Sequence, residues 1–288
     1  MNCLTELIAK QIKVKFNLGF LMKKKPKIEK INLNDVYTSL KEMGIENGDT
    51  IMVHSSLSYL NASAEEVIEM LKKLVGRDGN ILMPTHPKLE KTEQGIDSYN
   101  SKTSKSTVGY LTEYFRNMPD VKRSLHPFSS VAVWGKDSDF FLEGNCDGDA
   151  PLPHGINSSY YKFAQKNGKT VCIGVTAKNR GTIKHVPEEI IDENLPLDIF
   201  EEIEVYLEDS KTIKKFRRTI LAFSMVYMCK SKIEKDWMKW NILKKQKIGS
   251  TPIEVLDASK CVELMKKNIL EGSTHYPYAP KRFYRENS

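Results

Sequence analysis

Hydrophobic positions in the first two thirds of the chain switch between two spacings. Short apolar runs in "DTIMVHSS", "GNILMPT", "SSVAVWG" and "KTVCIGV" are typical of buried strands. Between them, "NDVYTSLKEMG", "AEEVIEMLKKLVG", "TVGYLTEYFRN" and "SSYYKFAQKNG" space apolar residues three and four apart, which predicts helices. Strands and helices alternate up to residue 192. The sequence therefore predicts a layered α/β fold, with a central mixed, largely parallel sheet flanked by helices.

Boundary signals accompany the first two predicted helices. Asn34 is the predicted N-cap of the first helix, and Gly44 is its predicted stop. Ser63 and Glu66 have the spacing of a capping box at the start of the second helix. The strand "TIMV" lies between them, so this part of the chain is expected to form a helix–strand–helix unit.

The last third of the chain has a different pattern. "FEEIEVYLED" alternates as a half-exposed strand does, and "KKFRRTILAFSMVYM" also favours strand. A helix is predicted at "DASKCVELMKKNIL". We therefore expect an antiparallel C-terminal addition to the main sheet. Because neither a repeat nor a linker is visible, residues 31–288 are treated as one domain.

The net charge of +7 is concentrated at one end of the chain. Residues 1–30 hold eight lysines and two glutamates and contribute +6 of it. The favoured interpretation is a basic, solvated or frayed extension. Binding to nucleic acid or to an anionic membrane surface is the alternative. The run "KKKPK" lacks interleaved aromatic residues, so no nucleic-acid partner is expected.

Composition suggests a compartment as well as a size. The chain has 288 residues, of which 40% are hydrophobic, and this is enough for a sizeable core. The apolar stretch "FNLGFLM" is too short to span a bilayer, and no signal-peptide cleavage pattern follows it. The five cysteines are scattered and contain no C-x-x-C pair, so neither a disulfide framework nor a structural zinc site is expected. These features predict a cytoplasmic protein.

Five of the six histidines follow predicted strands or lie in loops with small polar neighbours. They are His54, His86, His126, His154 and His185. Ligand sites in α/β sheets form beyond the carboxyl ends of strands, so these side chains are candidates for one site. A metal-dependent hydrolase is one alternative. The chain has no H-E-x-x-H or H-x-H spacing, so no metal is predicted.

The segment "GTIKHVPEE" suggests a specific chemistry. In a helix, Thr182, His185 and Glu188 would share one face at intervals of three residues. A histidine and a carboxylate arranged in this way can act as a catalytic base and its orienting group, although an ordinary surface helix has the same spacing. Glu189 lies about 100° further round such a helix and is expected to be inert.

Several motifs in their order along the chain resemble the aminoglycoside 3-N-acetyltransferase family. They are "VHSSLS", "GNILMPTH", "RSLHPFSS", "PHGINSS" and "TIKHVPEE", and the resemblance extends over residues 33–270. It implies an acyl-CoA-dependent N-acyltransferase without a metal. His185 would be the base and Glu188 its partner, and either Thr182 or backbone amides near Ser55 and Ser56 would donate to the reacting oxygen. The residues that would contact acetyl-CoA are His54, Ser55, Ser56, Leu57, Thr85, Arg123, Ser124, His126 and Ser129.

The acceptor is predicted from charge. Residues 188–204 hold eight acidic side chains and no basic one. If this acidic run lines the cleft beside His185, it would attract an amino sugar with several positive charges. A nucleotide-linked amino sugar is the alternative acceptor. A solvated surface is the simplest interpretation of the run, and a homodimer is left open.

Overall fold

The computed structural model describes residues 2–15 and 29–285, and the lysine-rich run "KKKPK" lies outside these ranges. The helices are α1 Cys3–Lys15, α2 Leu33–Glu42, α3 Ala64–Val75, α4 Tyr110–Arg116, α5 Ser138–Leu142, α6 Ser159–Gln165, α7 Ala177–Arg180, α8 Val186–Ile191, α9 Leu221–Tyr227, α10 Lys230–Lys239 and α11 Ala258–Leu270. The strands are β1 Thr50–Ser55, β2 Asn80–Pro84, β3 Glu90–Lys91, β4 Asp97–Tyr99, β5 Lys122–Arg123, β6 Val131–Gly135, β7 Lys169–Ile173, β8 Phe200–Leu207, β9 Thr212–Thr219, β10 Leu243–Ile248 and β11 Thr251–Asp257. Among these helices, none has the length and apolar character needed to cross a membrane.

The main sheet has seven strands in the order β10-β11-β7-β1-β2-β6-β5. Its centre is parallel, because β1 pairs in parallel with both β2 and β7. The other neighbours pair antiparallel. Apolar side chains cover both faces of the central strands, so β1 is buried from Thr50 to His54. The predicted mixed α/β fold is confirmed, with its parallel pairing restricted to three strands.

A second sheet of four strands has the order β3-β4-β8-β9. The prediction that residues 200–219 extend the main sheet is therefore wrong, because β10 and β11 form the antiparallel addition instead. One face of the β8–β9 hairpin is charged and exposed, with Glu202 paired to Lys215. Its other face packs in a small separate core. Two-residue alternation identified these strands without identifying their sheet.

Two local predictions are also corrected. Residues 221–227 form helix α9 rather than a strand, and Phe223 contacts Tyr227 one turn later with ring centroids 5.2 Å apart. Helix α2 begins at Leu33 with Asn32 as its N-cap, so Asn34 lies inside the first turn. Gly44 follows that helix with a φ of 90°, which agrees with its predicted role as a stop.

Helix α1 packs on the body of the protein, so the prediction of a solvated extension is wrong for this segment. The Glu6 carboxylate is buried and accepts hydrogen bonds from the backbone amides of Lys230 and Ser231, at the start of α10. A carboxylate is stabilised there by the unpaired amides and the helix dipole. A disulfide joins Cys3 to Cys229, a pairing that cysteine spacing did not predict.

Candidate active site

A cleft of about 710 Å³ opens beyond the carboxyl ends of β1 and β2. The first wall carries His54 at the end of β1 and His86 just after β2. The loop before α6 contributes His154, and the short 3₁₀ helix Thr182–His185 contributes His185. The strand-end interpretation is supported for these four histidines, which lie on one cleft. The opposite side is formed by the second sheet and by α9.

His185 is accompanied by Glu188, but the two side chains are not hydrogen bonded. Their Nδ1 and Oε2 atoms lie 3.8 Å apart. Glu188 is buried, and its Oε2 accepts a hydrogen bond of 3.0 Å from the hydroxyl of Tyr276. Burial raises the pKa of Glu188 to about 8, so the carboxyl is mostly protonated at neutral pH. The predicted pair is therefore close, yet it is not an ion pair in this state.

A different histidine and glutamate form the direct contact. The Nδ1 of His154 donates to Oε1 of Glu189 over 2.7 Å, and the His154 backbone amide donates to Oε2 over 2.6 Å. Both residues are buried, and the His154 ring stacks on that of His185 with centroids 5.5 Å apart. The structure therefore contradicts the expectation that Glu189 is inert. His185 closes a 3₁₀ turn before α8 begins, so spacing counted on one continuous α-helix misplaced the two glutamates.

Burial keeps His54, His86 and His185 neutral. It lowers the pKa of His54 to about 3 and that of His86 to about 4, and it holds the pKa of His185 well below its usual value. Lys184 is also buried, with its Nζ donating to the Gly181 carbonyl, and burial lowers its pKa to about 7. A neutral imidazole is the form that can accept a proton, but a pKa this far below neutral makes it a weak base, so a nearby negative charge has to raise that pKa before proton removal is efficient.

Only part of the predicted acyl-donor set lines the cleft. His54 and Ser129 do so, and Thr182, a predicted donor to the reacting oxygen, lines the same cleft. Ser55, Ser56 and Leu57 form the half-buried turn that follows His54, and none of the three lines the cleft. The Ser56 amide donates to the Ile173 carbonyl of β7 over 3.0 Å. That bond ties the turn after β1 to the end of the neighbouring strand.

Four other predicted contacts have side chains that hold loops together, and none of them is a cleft-lining residue. Arg123 donates to the Thr85 hydroxyl and to the carbonyls of residues 85, 101 and 104. Ser124 accepts from the amide of residue 131. His126 contacts the carbonyls of residues 128 and 151, and burial lowers its pKa to about 4. These contacts correct the assignment of Thr85, Arg123, Ser124 and His126 as direct ligands of the donor.

The acidic run 188–204 does not form an acidic cleft wall. Of its members only Glu189 lines the cleft. Asp192 is bound by Arg217 through two hydrogen bonds, and Glu201 pairs with Arg218. The cleft also carries basic side chains, of residues 180, 184 and 218. The predicted attraction of a multiply charged amine therefore lacks support from this run.

Across residues 2–15 and 29–285, no group of three or more histidine, cysteine, aspartate or glutamate side chains is arranged to hold a metal ion. The cleft is instead lined by imidazole side chains and by the carboxylate of Glu189, which is hydrogen bonded to His154. These imidazoles are candidate proton acceptors beside an open cavity.

Comparison with known proteins supports a specific family. The chain is 34% identical over 139 residues to the SPbeta prophage-derived aminoglycoside N(3')-acetyltransferase-like protein YokD of Bacillus subtilis, over 41% of this chain and 49% of that protein. It is 26% identical over 153 residues to aminoglycoside N(3)-acetyltransferase IV of a Salmonella species, over 52% of this chain and 55% of that protein. The chain therefore spans about half the length of these curated relatives.

Solved structures show the same fold. Aminoglycoside acetyltransferase AAC(3)-Xa superposes with a TM-score of 0.73 at 19% identity, covering 93% of this chain and 99% of that one. The family model described as aminoglycoside 3-N-acetyltransferase matches residues 52–269, which include the histidines of the cleft. On this match, the chain belongs to the aminoglycoside 3-N-acetyltransferase family.

Proposed function

We propose that this protein is an N-acetyltransferase that moves an acetyl group from acetyl-CoA to an amine of an aminoglycoside-like amino sugar. The observation that carries the proposal is the His185 imidazole, which lines the cleft with one fifth of its side chain exposed and with Glu188 behind it. Family membership supplies the reaction class. Residues 31–288 are assigned to the acetyltransferase domain, and α1 is assigned a supporting role.

His185 is proposed as the general base. An ammonium group has no lone pair, so the acceptor must lose a proton before it attacks the thioester. Burial holds the pKa of His185 well below 6.5, so its imidazole is unprotonated at neutral pH but is a weak base on its own. Once the imidazole becomes positive, an ionised Glu188 carboxylate 3.8 Å away would stabilise it. Glu188 therefore acts as the partner of the base during the reaction.

The acetyl donor is proposed to lie along the turn after β1. His54 lines the cleft as the last residue but one of the strand, and Ser55, Ser56 and Leu57 follow it as a half-buried turn. Ser129 and Thr182 line the same cavity and carry the hydroxyl groups needed near a thioester carbonyl. Thr85, Arg123, Ser124 and His126 would support this wall from behind through their loop contacts.

His154 is the competing candidate for the base. Its Nδ1 is oriented by Glu189, and its Nε2 has no hydrogen-bond partner among the residues that the structure describes. The two histidines therefore have to be separated by experiment.

The test compares His185→Ala with His154→Ala, using thiol release from acetyl-CoA and a panel of amines that includes aminoglycosides and nucleotide-linked amino sugars. Loss of the base lowers kcat by about 10²–10⁴-fold. We expect that loss in His185→Ala, together with an unchanged thermal shift on adding acetyl-CoA. Near-normal turnover in folded His185→Ala would reject the proposed base. Preference for a nucleotide-linked sugar would reject the proposed acceptor.

A further inference from the structure

The residue behind Glu188 comes from a part of the chain that lies outside the family match. The match ends at residue 269, whereas Tyr276 lies in the segment that follows α11. Its hydroxyl donates to Oε2 of Glu188 over 3.0 Å, and this is the same oxygen that faces Nδ1 of His185. The other oxygen of Glu188, Oε1, is buried and has no partner among the described residues.

Tyr276 is held firmly in this position. It is 1% exposed, and its ring packs against Phe223 of α9 with centroids 4.9 Å apart. The neighbouring carbonyl of His275 accepts a hydrogen bond of 2.8 Å from the backbone amide of Cys229. A buried tyrosine whose ring packs on α9 and whose neighbouring backbone is hydrogen bonded has little freedom to move its hydroxyl, so this contact sets the position of the Glu188 carboxyl.

We propose that Tyr276 is a positioning residue for acetyl transfer, whose hydroxyl fixes the Glu188 carboxyl beside His185 and favours its ionised form. The inference rests on the proposed function of His185 as the base. When the imidazole takes the proton of the amine, a positive charge forms 3.8 Å from Oε2. A carboxylate at that place stabilises the charge, and a hydroxyl that donates to the carboxylate makes ionisation easier.

Other ionisable groups surround His185 and Glu188 and also influence their pKa values. Lys184 and Glu189 face it from the segments on either side, His154 from the loop before α6, His86 from the loop after β2, and His275 from the C-terminal segment. Lys184 favours ionisation of Glu188, whereas Glu189 opposes it. These groups are unchanged by Tyr276→Phe, which removes one hydroxyl and keeps the ring that packs on α9.

The experiment measures kcat/KM from pH 5.5 to 9.5 for the wild type, Tyr276→Phe, Glu188→Gln and the double variant. If ionised Glu188 is required, kcat/KM rises through its pKa near 8. Removing a donor to the carboxylate raises that pKa, so the ascending limb should move up by about one pH unit in Tyr276→Phe. In the Glu188→Gln background, Tyr276→Phe should have no further effect, since Tyr276 acts through the carboxylate.

Tyr99→Phe is the matched control. Tyr99, in β4 of the second sheet, is also buried, and its hydroxyl donates to the backbone carbonyl of Ser124 over 2.8 Å; neither residue lines the cleft. Tyr99→Phe should lower the melting temperature without moving the ascending limb of the kcat/KM profile. A limb that stays in place in Tyr276→Phe, or effects that add in the double variant, would overturn the positioning role.

A second readout does not need turnover. The carboxyl of Glu188 can be titrated by ¹³C NMR, with its signal identified by its loss in Glu188→Gln, and Tyr276→Phe should shift that titration upward by about one unit. Absence of acetyl transfer in the wild type would reject the proposed function. An unshifted carboxyl titration in an active Tyr276→Phe enzyme would reject the positioning role alone.

Discussion

Glu189→Gln is expected to destabilise the protein far more than Glu188→Gln, although the two residues are adjacent in sequence. Glu189 is 2% exposed and accepts two short hydrogen bonds from His154, through its backbone amide and its Nδ1. Glutamine keeps one acceptor oxygen and places an NH₂ group where the second oxygen was. That NH₂ group faces a donor, so one buried hydrogen bond is lost and a donor is left without an acceptor.

The size of the loss follows from the two contacts. A hydrogen bond to a charged group contributes about 1.5–3 kcal/mol, and a buried donor without a partner costs a similar amount. We therefore expect Glu189→Gln to reduce the free energy of unfolding by about 2–3 kcal/mol. His154 can escape part of this cost by moving its proton to Nε2, which would turn the free ring nitrogen from an acceptor into a donor. Turnover should then fall if His154 contacts the acceptor.

Glu188→Gln is the internal comparison. Burial raises the pKa of Glu188 to about 8, so at pH 7 a neutral amide replaces a mostly neutral carboxyl. Its hydrogen bond from Tyr276 needs one acceptor oxygen, which glutamine retains. The stability change should stay below about 1 kcal/mol. Activity should still fall, because an amide cannot become the negative partner of His185.

The assay is urea unfolding at pH 7, followed by tryptophan fluorescence and far-UV circular dichroism. A lower midpoint with an unchanged slope reports a loss of stability. A change below about 0.5 kcal/mol in Glu189→Gln, or a larger loss in Glu188→Gln, would refute the assignment of Glu189 to His154.

Three further outcomes follow from buried charges. The free energy of unfolding should fall as the pH drops below 6.5, by up to about 1.4 kcal/mol per pH unit for each buried neutral histidine, because the unfolded chain binds protons that the folded chain excludes. These histidines are His54, His86, His126 and His275. Urea unfolding midpoints at pH 7.5, 6 and 5 check this expectation. Glu6→Gln should lower the free energy of unfolding by about 1–2 kcal/mol, because the carboxylate binds the first amides of α10. An unchanged unfolding midpoint would contradict this and would indicate that α1 is detached in solution. Arg123→Met should lower the free energy of unfolding by about 2 kcal/mol, because the loop contacts of Arg123 are lost, and should leave the KM for acetyl-CoA within a few-fold. A tenfold rise in that KM would show that Arg123 contacts acetyl-CoA after all.

Features that depend on neighbouring residues were predictable from the sequence. The capping box at Ser63 is present, with Glu66 donating its amide to Ser63 and accepting from the Ser63 amide. The strands at 50–55, 80–84 and 169–173 follow from short apolar runs, because strands buried on both faces need no alternation. The presence of His54 and His86 on one cleft was predictable, because they lie at the carboxyl ends of β1 and β2, which meet at one edge of the sheet. His154 and His185 reach the cleft from a loop and a 3₁₀ helix.

Features that depend on distant residues were not predictable. His154 and Glu189 are 35 positions apart, and Tyr276 and Glu188 are 88 positions apart. Neither spacing carries a periodic signal. The resemblance to the family identified His185 and Glu188 by their motif, but it gave no information about which carboxylate would be ionised. That property depends on burial and on hydrogen-bond partners supplied by other elements.

The ionisable groups around His185 have pKa values that burial moves towards neutral pH from both sides. Burial lowers the pKa of Lys184 to about 7 and raises that of Glu188 to about 8, so near pH 7 both groups can exist in either form. If Lys184 and Glu188 were both fully ionised, the site would stay in one charge state. If both were always neutral, no negative charge could form beside His185 when it becomes positive. With values this close, a small change in local charge is enough to ionise Glu188. In the proposed mechanism, a proton that arrives on His185 is such a change, so the surroundings of the proposed base favour the step that acetyl transfer requires.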